Sequence, residues 1–346
     1  MSAVSEASEP SNVTRKPWRL RFSLRALLIA TTLIAMVLGW LVHQYRSFEG
    51  ELAASEYLES RHSIIVWANH QIPERRPNLS ISELVRGRIY QPIDDVFIAS
   101  ATLDAEAVQA LHSFRYVRSM KIQDSSLPEN VDTFGGLRSL VELDIRTTTL
   151  RNRDIKSITN LPRLKTLWLA SRDHLPDDIA DRIAGLHQLE DLALEKLAVS
   201  NDAMKGIGRM VQMRDLHLYG CSFSSDSVLH LADLKNLEYL SLQRTSTDDR
   251  LFQLAVFPKL DILWLDDCKI TDDGLAGIAR NQKLYNLSLQ NTTITDRGMR
   301  HLPKLPRLIY LNVAGSQITS ESLSTLRTMP SLKWEYVFTG LDEPQN

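Results

Sequence analysis

The chain has 346 residues, with 40 lysines and arginines against 42 aspartates and glutamates and a formal charge of -2. That balance offers no footprint for a polyanion, so a nucleic-acid partner is not expected. Two cysteines, Cys221 and Cys268, make neither a disulfide framework nor the four clustered ligands of a structural zinc.

In chain order, residues 1–25 form a basic tail in which Arg15, Lys16, Arg19, Arg21 and Arg25 outweigh Glu6 and Glu9. The run from Ala26 to Val42 then carries no charge. As a helix it would span roughly 26 Å, close to the hydrocarbon core of about 30 Å. Trp40 and Tyr45 sit where an interfacial belt would, and only Arg46 follows the run closely. The excess of cations ahead of the run places the N-terminus in the cytoplasm and the rest of the chain outside. Residues 26–43 are therefore expected to be an uncleaved transmembrane signal anchor, making a single-pass protein of the cell membrane. The alternative is a cleaved signal peptide, for which Val37-Leu38-Gly39 is the best cleavage site.

Residues 44–92 read as a linker and N-terminal cap. A helix is expected from about Glu51 to Arg61, a short strand from Ile64 to Ala68, a proline-containing loop, and a second helix near Ile81 to Arg88. Ser80 with Glu83 fits a capping box for that second helix.

From Ile93 onward the spacing L-x-x-L-x-L-x4-[L/I] recurs, starting at Ile93, Val117, Leu140, Leu164, Leu189, Met213, Leu237, Leu260, Leu284, Leu308 and Leu332. A chance apolar pattern would lose phase within two or three units, so this is an internal repeat. In one unit Leu260, Leu263 and Leu265 point inward from a short strand, Ile270 closes the turn beneath, and Thr271 to Ala279 reads as a helix. Single units cannot bury their apolar side, and stacking hides each against its neighbours. The pattern fades after Leu332, and residues 339–346 form a C-terminal tail.

Copies such as LDILWLDDCKITDDGLAGIA and LYNLSLQNTTITDRGMRHL resemble leucine-rich repeats. The likeness covers residues 93–338 and is to the bacterial 24-residue type and to the cysteine-containing repeats of F-box substrate adaptors. It implies an α/β solenoid: a horseshoe with parallel strands on the concave face and short helices on the convex face. The adaptor repeats are longer, and here Cys268 is followed by KITD, one residue shorter than their usual spacing.

Cys221 and Cys268 occupy the ninth position of their units, where others have Ser125, Thr148, Thr245, Thr292 and Ser316. The repeat family places a small polar group there to hydrogen-bond neighbouring turns. Two units separate the cysteines, about 10 Å, too far for a disulfide. Threonine-aspartate clusters such as Thr247 to Asp249 and Thr271 to Asp273 fall in phase with each helix start, where they are expected to cap it. No H-E-x-x-H, G-x-S-x-G, C-x-x-C or Walker A motif occurs. Enzymatic activity, metal and cofactor are accordingly not expected.

Function is expected on the concave face, where exposed strand positions stack into one surface. Trp168, His217 and Trp264 fall at its centre, and Tyr219, Tyr239, Arg244, Asp266, Asp267, Tyr285 and Tyr310 lie beside them. Such aromatic and arginine side chains anchor protein interfaces. The face carries thirteen acidic and eight basic residues, which suits a protein or a neutral glycan better than an oligonucleotide. The chain thus reads as a membrane-anchored, non-enzymatic protein-binding or scaffold protein. The alternatives are an F-box-like adaptor of a ubiquitin ligase and a purely structural envelope protein.

Overall fold

A computed structural model describes residues 93–170 and 178–341 without a break, the strand Ile64–Ala68, and helical residues at 32, 33, 35, 36, 50, 51 and 53–58. The chain divides into two units, Met1–Glu49 and Gly50–Asn346. The first contributes only the helical Thr32, Leu33, Ala35 and Met36. The rest of the expected membrane span lies outside the described residues, as do the second cap helix, the 171–177 turn and residues 342–346. Among the described residues no helix is long and apolar enough to cross a membrane.

The second unit is a single sheet of twelve strands whose spatial order equals their chain order. These are β1 (Ile64–Ala68), β2 (Ile93–Ala99), β3 (Ser119–Gln123), β4 (Glu142–Arg146), β5 (Thr166–Ala170) and β6 (Asp191–Glu195). They continue as β7 (Asp215–His217), β8 (Tyr239–Ser241), β9 (Ile262–Trp264), β10 (Asn286–Ser288), β11 (Tyr310–Asn312) and β12 (Val337–Phe338). Each of β2 to β11 pairs in parallel with the next, and the register aligns equivalent repeat positions, as in Leu240 beside Leu263 beside Leu287. β1 is antiparallel to β2 and closes that edge. The preceding helical segment packs there too: Glu51 accepts from the Arg115 backbone N–H at 3.4 Å, and the Tyr57 hydroxyl donates to Glu106 at 3.1 Å.

The leucine positions build the core. Leu260, Leu263, Leu265 and Ile270 are fully buried, as are their counterparts Leu284, Leu287, Leu289 and Ile294. After β2 to β4 and β6 to β11 the chain turns away at the eighth position through a left-handed backbone. Ser100, Asp124, Thr147, Lys196, Gly220, Arg244, Asp267, Asn291 and Gly315 all have φ between 47° and 73°. Only two of these are glycine, so in the other units the hydrogen bonds of the turn hold a conformation that side chains disfavour. One is the Asp267 N–H bond to the Gln290 carbonyl at 2.9 Å.

The ninth-position groups satisfy the turn as expected. Cys221 and Cys268 donate their thiols to the carbonyls of Leu194 and Leu242 at 3.2 and 3.0 Å, and Thr245 and Thr292 bond Leu242 and Leu289. Both cysteines are free and buried.

The helical halves depart from the expectation in two ways. Between Ser125 and Ser139 the chain makes turns and no helix, and Ser227–Asp233 is a 3-10 helix. Thr271 and Thr295 cap their own helices as expected, accepting from Asp273 N and Arg297 N, both at 3.3 Å, whereas Thr247 bonds the Thr245 hydroxyl and the helix Arg250–Leu254 has no side-chain cap. The aspartates beside them instead reach into the next repeat. Asp249, Asp272 and Asp296 each accept both the backbone N–H and the hydroxyl of Thr271, Thr295 and Thr319. Glycine makes room for two of these carboxylates, since a Cβ on Gly274 or Gly298 would meet the oxygen of Asp249 or Asp272 at 2.0 or 2.3 Å.

Candidate functional site: the free face of the sheet

The strand positions that do not enter the core face away from the helices, and on β5, β7, β8 and β9 they carry rings. Trp168 on β5 and His217 on β7 are two strands apart, roughly 10 Å at ordinary strand spacing. The position between them in register is Ala193, whose methyl leaves the gap open. The two rings lean across it to a centroid distance of 6.0 Å. His217 then stacks on Tyr239 at 4.2 Å and 24°, and Tyr239 meets Trp264 edge to face at 5.3 Å. Four of the ten residues singled out from the sequence thus form one unbroken row. All four are half-buried, so each keeps part of its surface open.

Polar groups fix the outer rings. The Trp168 indole N–H donates to Asp191 at 2.9 Å, and the Trp264 indole to Asn286 at 3.2 Å. Arg146, held by Asp144 at 2.9 Å, places its guanidinium carbon 5.3 Å from the Trp168 ring centroid. Neither Asp191 nor Arg146 was singled out from the sequence. Their signal is the third and seventh repeat positions, which flank the central one and become neighbours of it once the strands are in register.

The other six candidates are placed differently. Tyr219 lies under the Arg244 guanidinium carbon at 5.6 Å, and Arg244 pairs with Asp267 at 3.2 Å. Asp267 also accepts from Asn291 at 2.9 Å, and Asp266 accepts from the Gln290 N–H at 2.9 Å and from the side chains of Gln243 and Ser288. Both aspartates therefore tie neighbouring repeats together. Tyr285 is exposed, and Tyr310 contacts Phe338 at 5.6 Å, so neither joins the row. At the fifth repeat position, the centre of this face, Asp144, Ala193, Ser241 and Ser288 are buried.

The electrostatics of the row follow from burial and from crowded carboxylates. Burial pushes the Asp191 carboxyl up to about 6; the Trp168 bond opposes this, while the charges of Asp215, Glu142 and Asp144 reinforce it. Burial also raises Asp215, with Glu238 adding to the shift. Burial pushes His217 down to about 4, so its ring is neutral at physiological pH. Among the described residues His217 forms no hydrogen bond to a carboxylate or hydroxyl, and no group of histidine, cysteine or acidic residues is arranged to hold a metal ion. Two clefts of about 690 and 620 Å³ lie elsewhere, lined by residues such as Tyr116 and Arg163 in one and Arg138 and Arg153 in the other. Neither includes any residue of the row.

A family model described as a leucine-rich repeat region matches residues 96–336. The chain belongs to the leucine-rich repeat family. Among curated proteins no match was found. Solved structures match this chain at low identity. An internalin (inlF) from Listeria monocytogenes is 15% identical with a TM-score of 0.52, the match covering 73% of this chain and 85% of that one. A leucine-rich-repeat protein of Leptospira interrogans is 18% identical, TM-score 0.42, covering 67% and 74%. The ectodomain of an Arabidopsis thaliana membrane receptor kinase, solved with Casparian strip integrity factor 2, is 15% identical, TM-score 0.44, covering 67% and 33%. This chain therefore spans only about a third of that receptor chain. For the internalin the likeness at that identity is one of fold.

Proposed function

We propose that this leucine-rich-repeat chain is a non-enzymatic recognition protein, held in the cell membrane by residues 26–43, with its repeats outside and a protein partner received on the free sheet face. The observation that carries this reading is the contiguous row Trp168, His217, Tyr239, Trp264. Half-exposed tryptophan and tyrosine rings bury large area at low entropic cost and are the residues that most often anchor protein interfaces. The row crosses an open sheet surface and is not part of either cleft, whereas small-molecule sites enclose most of their ligand. The membrane part of the reading rests on the charge-free run Ala26 to Val42 and the five cations ahead of it.

The test is covalent cross-linking with mass spectrometry on intact source cells, comparing the wild type with Trp168→Ala, Tyr219→Ala and Trp264→Ala combined. A protein captured by the wild type and lost from the folded variant supports the reading and names the partner. Unchanged capture removes the free face from consideration and favours a structural envelope role. Capture of ubiquitin-ligase components, with repeats protected from external protease, would favour the adaptor alternative. Loss of a bound neutral glycan alone would replace the protein partner with a sugar.

A further inference from the structure

The free face is not neutral where the rings lie. At the third, fifth and seventh repeat positions from β4 to β9 the charged side chains are Glu142, Asp144, Asp191, Glu195, Asp215 and Asp266 against Arg146, and the eighth positions add Lys196 and Arg244 against Asp267. Arg146 is taken by Asp144, and Glu142 by Lys121 of β3 at 3.5 Å. Among the described residues no cation reaches ion-pair distance of Asp191, Glu195 or Asp215. Asp191 and Asp215 also stand directly opposite each other on β6 and β7. Like charges in that relation destabilise a sheet. A carboxylate pair without an ion-pair partner among the described residues, beside a row of half-open rings, is poised for a cation from outside.

We infer that the segment received by the free face carries arginine or lysine side chains, one of which sets its charge against Asp191 and Asp215 while its alkyl stem lies across the His217 and Tyr239 rings. This rests on the free face being the recognition surface. Long basic side chains cover apolar surface with their stems while the charged head reaches polar groups. The face already uses guanidinium groups in this way, since Arg146 lies over Trp168 and Arg244 over Tyr219. The raised Asp191 carboxyl fits the same picture. The groups facing it are Asp215 on β7, Glu142 and Asp144 on β4 and the Trp168 indole on β5, so an arriving cation relieves the repulsion that holds it up.

The test uses the full chain in detergent and three fluorescein-labelled extended peptides that alternate serine with arginine, with citrulline or with glutamate. Anisotropy titrations at physiological ionic strength and pH 7.5 are expected to show the arginine peptide binding about tenfold or more tighter than its neutral citrulline isostere. Asp191→Asn combined with Asp215→Asn should remove that difference while raising the melting temperature, and Asp273→Asn with Glu321→Gln on the helical side should leave it intact. Equal binding of the arginine and citrulline peptides overturns the inference. So does an arginine preference that survives the double variant, which marks it as diffuse attraction to an acidic protein. If the cross-linked partner in cells still depends on Trp168 and Trp264 but no arginine preference appears, the recognition surface stands and its cationic specificity falls. If capture does not depend on the rings, both fall.

Discussion

Asp272 accepts two hydrogen bonds from Thr295 of the following repeat, one from its backbone N–H at 2.8 Å and one from its hydroxyl at 2.8 Å. The same residue pair is where Gly298 lies against the carboxylate. Because the same threonine caps its own helix, one side chain joins the start of a helix to the repeat before it. Such charge-assisted bonds are stronger than neutral ones. Asp272→Ala should lower stability by about 2 kcal/mol, and Gly298→Ala by a similar amount, because the new methyl displaces the carboxylate. In the Asp272→Ala background most of the cost of Gly298→Ala should vanish, alanine being about 1 kcal/mol better than glycine in a helix. A double-mutant cycle by denaturant unfolding measures this coupling. Strict additivity would show that the clamp and the glycine act separately.

Leu265 is fully buried between the strands of adjacent repeats. Leu265→Asp places an unpaired carboxylate there and should cost several kcal/mol. Thermal unfolding followed by circular dichroism is the check, and an unchanged midpoint would contradict the inward placement of the sixth repeat position.

Asp191 and His217 shape the acid response in opposite directions. The folded carboxyl of Asp191 lies at about 6, above its ordinary value of 3.8, so its contribution to stability is fully present below pH 3.8 and is lost as pH rises through 6. His217 lies at about 4 against an ordinary 6.5, so its contribution is present above pH 6.5 and lost as pH falls through 4. Asp191→Asn keeps an oxygen for the Trp168 indole and removes the charge. It should raise stability at pH 7 by on the order of 1 kcal/mol, allowing for solvent screening, and leave it unchanged at pH 3.5. The variant should also lose stability more steeply than the wild type between pH 6.5 and 4, because only the histidine remains. Calorimetric midpoints across this range decide it, and a variant less stable than wild type at pH 7 would mean that the indole bond outweighs the repulsion.

Burial pushes the thiols of Cys221 and Cys268 up to about 11, opposed by hydrogen bonds from neighbouring backbone amides. Both should therefore resist thiol reagents at pH 8 and react only on unfolding. Timed labelling with mass detection, native against denatured, is expected to differ by orders of magnitude. Fast labelling of the native protein would mean that the turns open locally.

What could be read from the sequence was whatever depends on period. Leu263 and Leu265 alternate as a strand with one buried side requires, and the same spacing recurs often enough to set every register between β2 and β12. The strand Ile64–Ala68 carries its own apolar run, and the ninth-position cysteines follow from alignment with Thr245 and Thr292. Partners that depend on rotamers were not legible. Thr295 and Asp272 are 23 residues apart, and nothing in a linear pattern says that the aspartate turns toward the next helix instead of capping its own. The row of rings was visible as composition, but its continuity depends on Ala193 being small and on Trp168 reaching toward Asp191. Tyr285 just before β10 and Tyr310 on β11 are also aromatic and remain outside it.

Strand order equal to chain order has a consequence for the way the molecule is made. No strand waits for a partner synthesised much later, and β1 too pairs with the strand that follows it directly. Contacts between repeats are therefore nearest-neighbour contacts, and each new repeat finds a finished template as it leaves the ribosome. The end built first is closed by the antiparallel β1, while the end built last finishes on the short β12. A growing chain interrupted at any repeat boundary is thus a shorter version of the same object, whose exposed edge is the one the next repeat would have covered.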